Sequence, residues 1–166
     1  GLNSDALFGG EGLDFLYGGD NADTLNGGSD KDKLYGDEGN DILNGDSGND
    51  KLFGGTEDDI LYGGLGGDKL YGNDGFDLLL GGENNDKLFG GDDTDTLFGG
   101  EGADKLFGNA SVDYLNGDAG LDKLYGNSGK DILYGGADND QLYGGNHADS
   151  IYGGIGDDTI FGGDGH

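Results

Sequence analysis

The chain has 166 residues, 42 of them Gly and none Pro, Cys, Met or Trp, and 35 acidic side chains against 8 basic ones give a formal charge of -27. Without Cys there is no disulfide framework, zinc knuckle, iron–sulfur cluster or thiol nucleophile, and without Pro the glycine content is not that of collagen. The charge opposes nucleic acid or an anionic membrane surface as a partner and favours cations. No apolar run reaches the roughly 20 residues of a membrane span, so membrane insertion is not expected. The opening Gly1-Leu2-Asn3-Ser4-Asp5 has neither the basic nor the apolar region of a signal peptide. Together with the missing initiator Met, it reads as a piece excised from a longer chain.

From Gly1 onward the chain divides into eighteen nonapeptides without an insertion, and Gly163-Asp164-Gly165-His166 begins a nineteenth. The ninth position is Gly in every block, from Gly9 to Gly162. The fifth is Asp in every block: Asp5, Asp14, Asp23, Asp32, Asp41, Asp50, Asp59, Asp68, Asp77, Asp86, Asp95, Asp104, Asp113, Asp122, Asp131, Asp140, Asp149 and Asp158. The seventh is Leu from Leu7 to Leu142, then Ile151 and Ile160. Such strict self-similarity is the signature of a repeat architecture, here one domain over residues 1–166 with no catalytic domain and no visible cap.

Within a block, position one is Gly, Asn or Asp throughout, and position three is so except at Glu57, Ser111 and His147. These residues best tolerate positive φ, so a turn fills the first half of each block. The second half, as in Lys51-Leu52-Phe53, reads as a three-residue strand. Short strands alternating with turns satisfy their backbones by stacking on copies of themselves. Two strands and two turns close one flattened coil, so the chain makes nine coils of 18 residues, an all-β solenoid about 43 Å long at the usual strand spacing.

The side chains carry the same 18-residue period. Position six of the even blocks runs Lys33, Lys51, Lys69, Lys87, Lys105, Lys123, and position eight of those blocks is aromatic from Tyr17 to Phe161. Odd blocks have no Lys at position six and mix Asn26, Asn44 and Asn116 with aromatics at position eight. Because side chains alternate along a strand, position seven points inward and positions six and eight outward. The rod is therefore expected to have one Lys-and-aromatic face and one more aliphatic face. The Lys column is read first as charge compensation of the acidic turns and the aromatic column as cross-strand stacking, with a binding surface as the sharper alternative for each.

An interior of eighteen Leu or Ile side chains is small for a chain of this length, and each turn column stacks carboxylates about 4.8 Å apart. A hard divalent cation between successive turns answers both difficulties. Calcium takes six to eight oxygens in flexible geometry, which Gly-rich turns with one fixed Asp can offer, whereas magnesium keeps its waters. Turn capping by Asp without metal is the alternative, but it would not need eighteen Asp and no Asn.

Read from the ninth position the block is G-G-x-G-x-D-x-L-x, as in Gly9-Gly10-Glu11-Gly12-Leu13-Asp14-Phe15-Leu16-Tyr17 and in the blocks beginning at Gly63, Gly99 and Gly153. Over its whole length the chain resembles the repeats-in-toxin (RTX) family of calcium-binding nonapeptide repeats. The resemblance implies a right-handed parallel β-roll with calcium between neighbouring turns on one side, held by the repeat Asp and turn carbonyls. Nine turns on each side leave eight gaps, hence about 16 calcium sites. It also implies a secreted bacterial protein, extracellular or at the cell surface, exported by type I secretion and folding on extracellular calcium.

Motifs of catalysis are absent: there is no H-E-x-x-H, G-x-S-x-G or P-loop, and no EF-hand loop, so no enzyme is expected. His147 and His166 lack the partners of a metal or catalytic site, and Asn109-Ala110-Ser111 fits a turn slot better than a glycosylation acceptor. Two alternative functions stand beside the calcium module. One is a self-assembling filament, sheath or surface-layer subunit joined end to end or face to face. The other is the non-catalytic repeat region of a toxin or secreted enzyme whose aromatic face contacts glycans.

Overall fold

Stacked nonapeptides with an apolar seventh position have one way to bury it, which is to face one strand layer with another. The computed structural model, which describes residues 3–165, does this with eighteen strands running from β1 (Ala6–Glu11) and β2 (Phe15–Asp20) to β17 (Ser150–Ile155) and β18 (Thr159–Gly163). Odd strands form one nine-stranded sheet and even strands a second, each in strict sequence order. Every pairing is parallel and joins residues 18 apart, such as Leu7 to Leu25 and Lys51 to Lys69. Nine coils of two blocks result, as the side-chain period predicts.

The strands are longer than their apolar pattern. All but the last cover six residues, and β18 five, rather than three, because pairing resumes beyond the ninth-position Gly, as at Gly10 with Gly28 and Glu11 with Ser29. Hydrophobicity marks only positions six to eight, but a ladder needs backbone groups and no particular side chain. Between strands, the three departures at position three keep the turn: Glu57, Ser111 and His147 have φ of 71, 72 and 77°, inside the range of the Asn and Asp residues at equivalent places.

Leucines of position seven form the core, fully buried from Leu25 to Leu142. Leu16 is nearly so, Leu7 and Ile151 are partly covered, and Ile160 in the last coil is 48% exposed. On the outer face of the even sheet nine rings from Tyr17 to Phe161 form one continuous stack, with centroids 4.8 or 4.9 Å apart and planes within 8°. The odd sheet has no such run. Asn116 stands between Phe98 and Tyr134, and Tyr114 leans against both rings at 51° and 42°. That face is thus a mixture of aliphatic, polar and aromatic groups, less aliphatic than its sixth-position residues suggest.

Candidate metal centre

Each turn presents its fifth-position Asp inward, beneath the next turn of the same edge. Fourteen of these carboxylates, from Asp23 to Asp140, are buried to the same degree as the leucines. One oxygen of each has a fixed task. Oδ1 accepts the backbone N–H of the Asp 18 residues earlier, as in Asp68 N–H to Asp86 at 2.7 Å and Asp86 N–H to Asp104 at 2.7 Å. Sixteen such bonds run up the two edges, from Asp5 with Asp23 to Asp140 with Asp158. The following residue continues the stack through its own N–H, as Lys105 does to Asp86 O at 2.9 Å.

The second oxygen has no such partner. In the sixteen Asp from Asp14 to Asp149, Oδ2 is buried without a hydrogen bond, a costly state for a carboxylate. Its surroundings explain the ninth-position glycine. A Cβ on Gly81 would stand 2.5 Å from both Asp86 Oδ2 and the carbonyl oxygen of Gly99 in the next coil. Gly81 is absent from the residues of positive φ, so space rather than conformation excludes a side chain there. The same pair of oxygens, a carboxylate Oδ2 and a glycine carbonyl, recurs beside Gly45, Gly63, Gly117 and Gly135. Carbonyls at positions one and three also face the turn above, where a Cβ on Gly28 would meet Gly10 O and one on Gly48 would meet Asp30 O.

The oxygens nearest this space are acceptors, and no donor bonds to Oδ2. An Asn in place of Asp would bring an amide N–H toward the glycine carbonyl and suit a metal-free rod better, yet the column has no Asn. The described residues hold no group of three or more His, Asp or Glu gathered for a metal. Any cation between turns would therefore depend on few carboxylates and several carbonyls. This donor set fits calcium, which accepts carbonyl oxygens and irregular geometry.

Burial also governs the charge of the column. Asp59, Asp86 and Asp95 are pushed up to about 8 and Asp50, Asp113 and Asp122 to about 7, first by desolvation. The accepted backbone N–H opposes that rise, and neighbouring carboxylates of the same column add to it. Asp41, Asp68, Asp77, Asp104 and Asp131 rise to about 6 for the same leading reason. Without a counter-ion the carboxyls raised to about 7 or 8 resist ionisation at neutral pH.

The eighteen Asp singled out in the sequence thus fall on two edges of nine, and the structure brings each against its neighbours 18 residues away. His147 is exposed in its turn, and His166 lies outside the described residues. The sequence did not distinguish the two oxygens of each carboxylate; the contrast between the strict Asp and the strict Gly five residues before it was the available signal. A four-copy model of the RTX calcium-binding nonapeptide repeat matches residues 1–34, 35–70, 71–106, 89–124, 107–142 and 134–166, and so spans the chain. No curated protein matches it.

Proposed function

The chain belongs to the family of RTX calcium-binding nonapeptide repeats, and on that premise we propose that its two Asp columns hold calcium between successive turns, with metal binding and folding as one equilibrium. The observation that carries this reading is the set of sixteen buried Oδ2 atoms with no hydrogen-bond partner. Calcium supplies positive charge where carboxylate and carbonyl oxygens converge. The fifth-position Asp provides the charged oxygen, the turn carbonyls complete the shell, and the ninth-position Gly leaves the room. Eight gaps in each column give about 16 ions, whose charge would slightly exceed the formal -27 of the chain. The end gaps are therefore expected to fill last.

RTX repeats are structural calcium-binding elements, not catalytic ones, and RTX proteins are generally secreted. In this reading residues 1–166 are a single repeat domain of a secreted bacterial protein. The domain stays open where calcium is scarce and closes where it is plentiful, because a ligand bound only by the folded state stabilises that state. No helix among the described residues is long and apolar enough to cross a membrane. The aromatic column stacks ring on ring along the even sheet, which supports cross-strand stacking as its first role.

Far-ultraviolet circular dichroism during a calcium titration of the chelated chain tests this reading, with magnesium as the control. A cooperative coil-to-β transition with calcium alone is expected. A chain already folded in chelator at neutral pH, or folded equally by magnesium, would refute it.

A further inference from the structure

We propose that the Lys-bearing face of the even sheet is a docking surface for a second copy of this chain, which lays an acidic turn edge along the Lys column. Six of the chain's eight basic residues stand in this one column, Lys33 to Lys123, on six successive even strands. Like charges directly opposite one another on neighbouring strands are unfavourable. Lys33 finds relief over the Phe15 ring, with Nζ 4.9 Å from its centroid. Beyond Lys33 the column has Lys, not an aromatic ring, at the position before each Lys.

The chain carries a matching row of opposite sign. On the edge where even strands lead into odd ones, four of five successive turns expose a carboxylate at the second position, Asp20, Glu38, Asp74 and Asp92, while the turn between Glu38 and Asp74 has Thr56 at that place and exposes Glu57 and Asp58 beside it. Asp20 is in register with Glu38, and Asp74 with Asp92, so this row too sets like charges side by side. The same edge exposes no such carboxylate in its next three turns, 109–113, 127–131 and 145–149.

Both rows take their spacing from the rise of one coil, about 4.8 Å. The carboxylate row on one rod therefore meets a Lys row on another at the same spacing, whichever way the rods point, with Thr56 as its one neutral tooth. Contact relieves the repulsion within both rows at once. Complementary rows of this kind give register and salt dependence. The proposal needs a folded rod but no particular number of calcium ions.

Sedimentation velocity of the whole chain in calcium tests it, with circular dichroism confirming that every sample is folded. The wild-type chain is expected to associate as concentration rises at low salt and to dissociate at high salt. The face variant Lys51→Glu/Lys69→Glu/Lys87→Glu and the edge variant Glu38→Lys/Asp74→Lys/Asp92→Lys are each expected to self-associate about tenfold more weakly or worse. An equimolar mixture of the two restores both complementary contacts and is expected to recover association. Folded variants that associate like the wild type, a folded mixture no better than its parts, or a folded wild-type chain that stays monomeric at low salt would each overturn the proposal.

Discussion

Asp86→Asn is expected to weaken the calcium-loaded rod while strengthening the metal-free one. The substitution keeps the shape of the side chain and the Oδ1 that accepts the Asp68 N–H at 2.7 Å. It replaces the unpartnered Oδ2 with an amide that can donate toward Gly99 O, beside the same point in space. If the column served only to cap turns, Asn would do as well as Asp. If it holds calcium, each lost site removes about 2.7 kcal/mol of stability at a free calcium concentration a hundredfold above its dissociation constant. Gly81→Ala attacks the same site from the other side, because its Cβ would fill the space between Asp86 Oδ2 and Gly99 O. Gly162→Ala is the control, since nothing lies within 4 Å of a Cβ there. Denaturation in calcium and in chelator measures these effects. A silent Asp86→Asn in calcium would return the column to a capping role.

The second large effect is a pH dependence whose sign reverses between the metal-free and metal-loaded chains. The central carboxyls of both columns are displaced upward in the folded rod, Asp59, Asp86 and Asp95 to about 8, from an unfolded value near 3.9. The folded state therefore binds protons more tightly than the unfolded state. Its stability from these groups is fully present below the unfolded pKa and is lost as pH rises through the displaced values. In chelator, β structure is expected to grow on acidification from about pH 8 toward 5. In calcium, protons compete for the same oxygens, so the calcium concentration at half-folding is expected to rise as pH falls through that window. Circular dichroism at several pH values, with and without calcium, measures both slopes. A metal-free chain indifferent to pH across this range would contradict the burial of ionisable columns.

Much of this molecule is legible because one short pattern is applied eighteen times. The apolar seventh position, Leu or Ile in every block, gave the core, the 18-residue alternation of Lys33 to Lys123 gave the coil, and strict Asp gave the two edge columns. Strand length was not legible, since the ladder continues through Gly10 and Glu11, where no apolar side chain announces it. Nor was the backbone at Glu57, Ser111 and His147, whose side chains break the composition rule while their φ values obey the turn. There the stacked turns above and below override a local preference worth less than the ladder they complete. The division of labour between Oδ1 and Oδ2 depends on side-chain placement between coils, which a repeat pattern does not encode.

Calcium counting by equilibrium dialysis of the folded chain addresses the central claim most directly, because it reads the columns rather than their consequences. About 16 ions per chain are expected, taken up together with the gain of β structure and reduced in Asp86→Asn. A folded chain that retains only a few ions, or one whose count is unchanged by Asp86→Asn, would show that the buried carboxylates serve some other end.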